Sequence, residues 1–446
     1  MTTRTVADTI ARVSLKLLGQ ELPVRVRGWD GSETGPDHAP TVAFNSPTAL
    51  RRMLWAPGEL GLARAYVTGD LDVDGDLGDA LRRVWAIAGN RGGRHRLAPS
   101  ALFSTVAGAV RLGGVAMPPP RPTSEARPTG RLHSKRRDAQ VIAHHYDLSN
   151  ALYALLLDEN MAYSCGYWTS EDGKYDVSDA QRDKLDLICR KLDLNPGMRL
   201  LDVGCGWSAL AVHAATRYGA HVTGVTISAE QLAFGRMRIV RDGVEHLVEL
   251  RLQDYRNLPA SETFDAVTAI EMGEHVGKNN YPAFLAQLHR LTRPGGRILI
   301  QQMSRGHRHP GGGPFIERYI APDMHMRQLH ETLGLVESAD FEVRDVHVLR
   351  EHYVRTIEAW LHRFEQRFDE VVELVGMEQA RVWRLYLVGG ALAFEHNRMG
   401  VDQILATRTP ISGESGLPPT RSRWESTSLR LELTDPATAA TQCRSV

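Results

Sequence analysis

Hydrophobic and polar positions alternate with two different periods between about Ala139 and Ala406. Short apolar runs, each long enough for one strand, are separated by longer stretches in which apolar residues recur at helical spacing. This order is typical of parallel strands joined by crossover helices, so we predict an α/β fold with a doubly wound, mostly parallel sheet. The predicted strands are Arg199–Val203, His221–Thr226, Val248–Leu252, Phe264–Ile270 and Arg297–Gln302.

The first hundred residues follow a different pattern, with short alternating runs and frequent turn residues. The stretch LPVRVRGWDGS alternates as a strand that ends in a turn, and SPTALRRMLW predicts a helix with Ser46 at its N-cap and Pro47 in its first turn. We therefore predict a small α+β domain ahead of the sheet. The predicted segments are 1–100 for this domain, 101–137 for an apolar segment and a proline-rich basic linker, 138–406 for the α/β domain and 407–446 for an irregular tail.

The charge of the chain narrows the classes of partner. Lys plus Arg and Asp plus Glu both number 53, so the formal net charge is zero, which argues against general electrostatic binding of nucleic acid. Two basic clusters, Arg91–Arg96 and Arg131–Arg137, are compatible either with solvated loops or with contact to anionic phospholipid headgroups.

The cysteines and apolar runs indicate a cellular location. The four cysteines form no CxxC pair, and neither DVDGD nor the histidines have the spacing of a metal site, so we expect no metal. The first residues lack the apolar core of a signal peptide, and no run is long enough to span a membrane. These features fit a reduced, cytoplasmic protein that contacts the inner membrane surface peripherally.

The stretch RLLDVGCGWSALAVHAA, residues 199–215, passes from an apolar strand through a glycine turn into a helical pattern. Such a turn places backbone N–H groups at a helix N-terminus, where glycines let a ligand approach the main chain. Taken alone, it is compatible with a dinucleotide, another cofactor or a tight turn without a ligand, because the third glycine of the dinucleotide pattern is absent.

Polar residues at the ends of the strands narrow this choice. Asp202 ends the first strand and LQDYRNLP ends the third, at the sheet edge where ligands bind. With GVTISAEQ after the second strand, this set resembles the Rossmann-like class I S-adenosylmethionine-dependent methyltransferases. The resemblance implies that the glycine turn meets the methionine part, that the third strand's aspartate lies near adenine, and that Thr226 and Gln231 replace the usual acidic partner of the ribose. The implied cofactor-binding residues are Tyr163, Ser164, Asp202, Gly204, Gly206, Thr226, Gln231, Asp254 and Tyr255.

Five blocks are more specific: HHYDLSNALYALLLDENMAYSCGYW, GCGWSALAVHAA, VTGVTISAEQ, IEMGEHVGKNNYPAFL and YVRTIEAWLHRF. In this order they resemble the cyclopropane fatty acid synthase family, which includes the mycolic acid cyclopropane synthases and related fatty-acid methyltransferases. The resemblance covers roughly Asp138 to Ala406. It implies S-adenosyl-L-methionine as the methyl donor, partly covered by His144, His145 and Tyr146, and the cis double bond of an unsaturated phospholipid acyl chain as the acceptor.

The same resemblance implies a catalytic group. In cyclopropane synthases the base is thought to be a bicarbonate, held by a main-chain contact at the YSC cysteine, the glutamate of EHVG, a histidine and a tyrosine. The matching residues here are Cys165, Glu274 and Tyr353, but RILIQQMSRG places Gln301 where the family has the histidine, with Met303 at a neighbouring main-chain contact. Glutamine can hydrogen-bond bicarbonate, yet it cannot relay a proton near neutral pH.

This departure changes the expected product. The segment YIAPDMHMR also resembles the actinobacterial enzymes that form 10-methylene stearoyl chains, the precursors of tuberculostearic acid. We therefore expect a mid-chain methylene branch, with ring closure to a cyclopropane as the alternative. A separate reductase would have to saturate the methylene, and we expect a homo-oligomer. Two other readings remain open: a small-molecule or nucleic-acid methyltransferase on the same fold, and a non-catalytic lipid-binding or scaffold protein.

Overall fold

The computed structural model describes residues 5–89, 117–127, 130, 132–133, 137–138, 150–259, 261–309 and 311–425. Several of the features predicted above lie outside these residues. They are the basic cluster Arg91–Arg96, most of Arg131–Arg137, the apolar segment after residue 100, the segment with His144, His145 and Tyr146, and the end of the tail from residue 426.

The described residues form eleven strands and fourteen named helices. The strands are β1 Arg25–Arg27, β2 Glu33–Thr34, β3 Thr41–Phe44, β4 Leu71–Asp74, β5 Arg199–Val203, β6 His221–Thr226, β7 Val248–Leu252, β8 Phe264–Ile270, β9 Thr292–Arg305, β10 Glu342–Val348 and β11 Met399–Thr407. The helices are α1 Val6–Leu18, α2 Pro47–Trp55, α3 Glu59–Val67, α4 Leu77–Gly89, α5 Asn150–Leu156, α6 Val177–Leu192, α7 Ala209–Tyr218, α8 Ala229–Arg241, α9 Tyr281–Leu291, α10 Leu329–Glu337, α11 Arg350–Gln366, α12 Phe368–Val375, α13 Met377–Glu395 and α14 Ser422–Glu425. Short helical turns cover Tyr255–Asn257, Gly273–His275 and Gly313–Ile320.

Strands β1 to β4 form a small sheet in the order β2-β1-β3-β4, on which apolar side chains of α1, α2 and α3 pack. The predicted cap of α2 is confirmed, because the Ser46 hydroxyl accepts the N–H of Thr48 at 3.1 Å. The small sheet is attached to α13 by Arg381, whose buried guanidinium donates to the carbonyls of Tyr66 and Leu71 and pairs with Asp72.

The large sheet has the order β10-β11-β9-β8-β5-β6-β7. Strands β5 to β9 are parallel, whereas β11 runs antiparallel to both β9 and β10. Residues of β5 alternate between the faces: Leu200 packs with α6, α7 and α8, and Leu201 packs with α9 and α10. The sheet is therefore covered on both faces, and the predicted doubly wound α/β fold is confirmed.

The pattern predicted five of the seven strands in the large sheet. Four have the predicted bounds, and the fifth, β9, is longer than predicted. The sequence analysis missed β10 and β11 because their apolar positions are mixed with charged and amide residues. In β11, Asp402 and Gln403 are buried between two other strands, where an apolar run would be expected.

Helices α5, α11, α12 and α13 form a further layer with an aromatic-rich core beside the large sheet. Helix α11 begins where β10 ends, and the N–H of Leu349 at this junction donates to the carbonyl of Val401 in β11. This layer carries Tyr353 towards the sheet. Across the residues that the structure describes, no helix is both long and apolar enough to cross a bilayer.

Candidate active site

A cavity lies at the carboxyl ends of the parallel strands, where ligands of open α/β sheets bind. Strand β5 pairs with β6 on one side and β8 on the other, so the chain reverses its winding direction here. The cavity has about 1260 Å³ of empty space, part of it open to solvent. The strand ends contribute Asp202, Val203, Val225, Thr226, Gln253, Asp254, Ile270 and Glu271 to its lining.

The glycine turn after β5 forms one wall of the cavity. Gly204 and Gly206 both have positive φ angles, of 78° and 51°. A Cβ atom on Gly206 would meet no atom within 4 Å, whereas one on Gly204 would lie 3.0 Å from the Met272 side chain. The N–H groups of Gly204 and Cys205 already donate to the carbonyl of Val225. The turn therefore offers a ligand an open backbone surface at Gly206 rather than these two donors.

Two buried groups lie beneath this wall. Asp202 accepts the Thr268 hydroxyl at 2.9 Å, and burial raises the pKa of its carboxyl to about 6. The Lys184 ammonium donates to the Ser164 hydroxyl at 2.8 Å. Burial lowers the pKa of Lys184, and the nearby charge of Glu271 opposes that shift. One buried cation thus lies within electrostatic reach of three carboxylates, those of Glu271, Asp158 and Asp202.

The predicted ribose and adenine partners occupy the far side of the cavity. The Thr226 hydroxyl donates to the Gln231 amide oxygen at 2.9 Å, so the two residues act as one polar group after β6. Asp254 is held by Arg256, and the Tyr255 ring packs edge-on against Phe284. An open glycine face, a polar pair and an aromatic wall fit the methionine, ribose and adenine parts of S-adenosylmethionine respectively.

A second cluster lies where β8 ends, and its centre is Glu271. One carboxylate oxygen of Glu271 accepts the main-chain N–H of Cys165 at 2.8 Å and the Gln301 amide N–H at 2.9 Å. The other oxygen accepts the Tyr353 hydroxyl at 2.6 Å. The structure thus brings together three of the four predicted catalytic residues, and it places them around a fourth group that the sequence analysis missed.

The backbone explains why Glu271 points into this cluster. Its φ is 51°, a left-handed conformation that costs a non-glycine residue free energy and is concentrated at functional sites. Its own N–H donates to the carbonyl of Gln301 at 2.6 Å, which fixes the end of β8 against β9. The kink turns the carboxylate into the cavity between Ile270 and Met272.

The three donors are positioned by three separate elements. Gln301 in β9 pairs in register with Gln403 in β11, whose amide donates to the Gln301 oxygen at 2.9 Å. This contact orients the Gln301 amide so that its N–H groups face Glu271. The segment with Cys165 is attached to α11, because the Thr356 hydroxyl accepts the next N–H, that of Gly166, at 3.1 Å.

The protonation states around Glu271 follow from burial. Burial raises the pKa of the Glu271 carboxyl, and the hydrogen bonds from Tyr353, Cys165 and Gln301 oppose this shift. Burial also raises the pKa of the Tyr353 hydroxyl and of the Cys165 thiol well above their usual ranges. Both therefore stay protonated, and the Cys165 thiol is not a nucleophile.

Glu274, the fourth predicted catalytic residue, lies beside this cluster rather than at its centre. Its carboxylate accepts the main-chain N–H of Met303, and its second oxygen has no hydrogen-bond partner among the described residues. Burial, together with the nearby charge of Glu271, raises the pKa of Glu274 to about 8. Glu274 is therefore mostly protonated at pH 7. Its predicted catalytic role stays a prediction.

Aromatic rings pack beside the Glu271 cluster, in contact with Tyr353. The ring of Tyr353 lies 4.6 Å from that of Phe394, and the ring of Tyr163 lies 5.4 Å from that of Trp360. All four side chains belong to the core of the layer formed by α5, α11, α12 and α13. Ring faces attract cations, and a buried apolar surface excludes water. This half of the site is therefore suited to a cationic reaction on an apolar substrate.

Known proteins resemble this chain over most of its length. A family model described as mycolic acid cyclopropane synthetase matches residues 133–404. A probable fatty acid methyltransferase of Pseudomonas putida is 37% identical over 419 residues, covering 92% of this chain and 98% of that relative. The tuberculostearic acid methyltransferase of Mycobacterium tuberculosis is 32% identical over 410 residues, covering 88% of this chain and 90% of that relative.

A solved structure agrees with the fold. The crystal structure of a mycolic acid cyclopropane synthase in complex with SAH and CTAB has a TM-score of 0.57 and 28% sequence identity, covering 60% of this chain and 98% of that one. SAH is what the methyl donor becomes after transfer, in agreement with the cofactor predicted from the glycine turn. The chain belongs to the mycolic acid cyclopropane synthetase family of S-adenosylmethionine-dependent enzymes.

Proposed function

We propose that this enzyme transfers a methyl group to the cis double bond of an unsaturated acyl chain in a phospholipid, such as an oleoyl chain, and forms a mid-chain methylene branch. The observation that carries the proposal is the continuity of one cavity from the donor residues Asp202 and Gly206 to the buried carboxylate of Glu271. A carboxylate beside aromatic rings and a methyl donor suits the attack of an apolar π bond. Bound S-adenosylmethionine supplies an electrophilic methyl carbon.

The chemistry needs few groups but a dry and ordered site. The π electron pair forms a bond to the methyl carbon, and the neighbouring acyl carbon becomes a cation. Negative charge and ring faces stabilise this cation. A hydride shift from the methylated carbon, followed by loss of a methyl proton, leaves a methylene branch. If the methyl proton is lost before the shift, its electron pair closes a cyclopropane ring.

The choice of product rests on two supports. The first is Gln301, which holds Glu271 by a neutral hydrogen bond where cyclopropane synthases have a histidine. The second is the relative in Mycobacterium tuberculosis that carries the name tuberculostearic acid methyltransferase. The cyclopropane product is the alternative, favoured by membership of the mycolic acid cyclopropane synthetase family. A methylene product would require a separate reductase to become a methyl branch.

We propose a peripheral contact with the inner surface of the membrane, in the cytoplasm, because the substrate lies in phospholipid. The adjoining helices α2 and α3 support this proposal, since Leu54, Trp55 and Leu62 are 41%, 58% and 41% exposed. Exposed apolar side chains of this size favour a lipid surface. Replacing Trp55 by serine should weaken co-sedimentation of the protein with anionic vesicles, while SAH binding stays unchanged.

The function is tested with purified protein, S-adenosylmethionine and vesicles of dioleoyl phosphatidylglycerol. Mass spectrometry of the released fatty acids detects the added carbon. Proton NMR then separates the two products, because a methylene branch has =CH2 protons, distinct from the CH=CH protons of unreacted oleoyl chains, whereas a cyclopropane has ring protons. We expect the =CH2 signal. A ring signal would contradict the methylene product. If oleoyl chains stay unmodified in these vesicles and in vesicles of other phospholipids, the proposed function is contradicted.

A further inference from the structure

We propose that the carboxylate of Glu271 occupies the place of the bicarbonate that cyclopropane synthases are thought to use, and that Glu271 itself is the base. This inference rests on the proposed function. It makes turnover independent of bicarbonate, and it assigns a catalytic role to a residue that the resemblance to the family did not single out.

The donor set is the first argument. The main-chain N–H of Cys165, the side chain at position 301 and the Tyr353 hydroxyl are three of the groups expected to hold bicarbonate. All three donate to Glu271, at 2.8, 2.9 and 2.6 Å. A carboxylate and a bicarbonate present the same planar pair of oxygens and the same charge. The residues present therefore do not fit a bicarbonate in addition to Glu271.

Charge is the second argument. Bicarbonate beside Glu271 would bring another negative charge into a buried site, where like charges repel strongly. Lys184 is a buried cation within electrostatic reach of Glu271, and Asp158 and Asp202 already share its charge. A single fixed carboxylate next to Lys184 and a cationic methyl donor is the better balanced arrangement.

The identity of residue 301 is the third argument. A histidine at this position can carry a proton to and from a free bicarbonate, whereas a glutamine cannot. Gln403 orients the Gln301 amide so that it donates to Glu271. Because the Glu271 carboxylate is part of the protein chain, a donor that does not titrate is sufficient to hold it. The glutamine is therefore the partner of Glu271 rather than a sign of lost catalysis.

After the hydride shift has placed the cation on the methylated carbon, one C–H bond of the transferred methyl group breaks. Its proton moves to a Glu271 oxygen, and its electron pair forms the π bond of the methylene branch. Among the residues that the structure describes, the Tyr353 hydroxyl is the one hydrogen-bond donor to Oε2, which leaves a lone pair of that oxygen for the proton. Glu271 becomes a neutral acid and returns its proton to water when the product leaves, through the part of the cavity that opens to solvent.

Two substitutions at this position test the inference, with the purified full chain and dioleoyl phosphatidylglycerol vesicles. Glu271→Gly removes the carboxylate, relieves the left-handed φ of 51° and frees the three donors for a small anion. Glu271→Gln removes the charge but keeps the space filled, so it is the matched control. Both should lower kcat by roughly 100-fold or more, the usual contribution of a positioned base.

Added bicarbonate should then raise the rate of Glu271→Gly by ~10-fold and leave Glu271→Gln unchanged, because only glycine makes room for the anion. Unaltered SAH affinity and melting temperature show that each variant is folded. A Glu271→Gln variant with kcat within about threefold of wild type would overturn the inference, since a positioned base contributes far more. So would a folded Glu271→Gly variant that bicarbonate does not rescue.

Binding of ¹³C-bicarbonate, followed by NMR, gives a readout that needs no turnover. We expect binding to Glu271→Gly and none to the wild-type protein. Bicarbonate bound by the wild-type protein, and displaced in Tyr353→Phe, would overturn the inference. Absence of methylated lipid from the wild type would instead contradict the proposed function, while this binding measurement would still decide whether Glu271 fills the anion site.

Discussion

The two halves of the site are built in different ways. The donor half, consisting of Asp202, Gly206, Thr226, Gln231 and Asp254, comes from strand ends and turns that follow one another along the chain. The reacting half, consisting of Cys165, Glu271, Gln301 and Tyr353, comes from four separate segments that meet through hydrogen bonds to Glu271. The residues of the donor half lie at the ends of neighbouring strands of one sheet. The residues of the reacting half are far apart in the sequence, and the pairing of strands and the packing of helices bring them together.

This difference predicts that the halves respond differently to substitution. Changes in the reacting half should lower kcat and leave SAH affinity intact, because those residues act on the transferred methyl group and the acyl chain. Changes in the donor half should raise the KM for S-adenosylmethionine and leave kcat nearly intact at saturation.

The largest effect is expected for Glu271→Gln, with kcat lowered by roughly 100-fold or more through loss of the base. Its SAH affinity, measured by calorimetry, should stay within about twofold of wild type because the donor residues are untouched. A loss of SAH affinity equal to the loss of kcat would contradict the separation of the two halves.

The next effect is expected for Tyr353→Phe. Its hydroxyl donates to Glu271 at 2.6 Å. The free energy of a hydrogen bond to a buried charge corresponds to a decrease of kcat of about tenfold when the bond is removed. Tyr281→Phe is the matched control, because it also removes a buried tyrosine hydroxyl, but one bonded to Gln302. Equal kcat losses in the two variants would show a general effect of removing a buried hydroxyl rather than a specific effect of the hydrogen bond to Glu271.

A comparable effect on binding is expected for Gly206→Ala. The added Cβ enters the open face of the turn, and the φ of 51° strains any L side chain by about 1 kcal/mol. The KM for S-adenosylmethionine should rise by about tenfold, and kcat at saturating donor should stay unchanged. This combination is expected when a substitution weakens binding of the donor and does not affect the reaction itself. Steady-state kinetics with varied donor decide this, and an unchanged KM would show that no ligand approaches this turn.

The smallest effect on kcat is expected for Glu274→Gln, because an amide resembles the protonated carboxyl that burial favours at pH 7. The informative measurement is stability against pH. The folded-state pKa of about 8 lies above the ordinary value of 4.5, so the folded protein holds a proton that the unfolded chain releases. Wild-type stability therefore falls as pH rises from about 4.5 to about 8, and the variant loses this dependence.

Melting temperatures of the two proteins at several pH values test this directly. The difference in melting temperature, variant minus wild type, should increase from pH 5 to pH 8. A difference that is constant over this range would contradict the protonated state of Glu274.

Much of the donor half followed from the sequence because strand ends, glycines and polar residues lie in a recognisable order. Four strands have the predicted bounds, and Asp202, Gly206, Thr226 and Gln231 line the cavity. The contacts of these residues with the methyl donor stay a prediction. In the turn, however, the N–H groups of Gly204 and Cys205 both donate to the carbonyl of Val225. The sequence does not show which backbone donors are already hydrogen-bonded within the fold.

The reacting half could be predicted only in part. Cys165, Gln301 and Tyr353 were found by resemblance, but Glu271 was missed although it lies three residues before Glu274 in IEMGEHVG. The available signal was a second acidic residue at the end of an apolar strand. Glu271 reaches the cluster because of its left-handed φ, and its partner Gln301 is oriented by pairing with Gln403. The sequence pattern indicates neither the backbone kink nor strand β11.

The most direct test of the account is the turnover of the wild-type enzyme in buffer purged of carbon dioxide, compared with the same buffer after bicarbonate is added. If Glu271 is the anion of the site, the two rates should agree and the lipid product should be the same. A rate that collapses on purging and returns with bicarbonate would contradict the account, because the base would then be a bound ion and Glu271 a structural carboxylate.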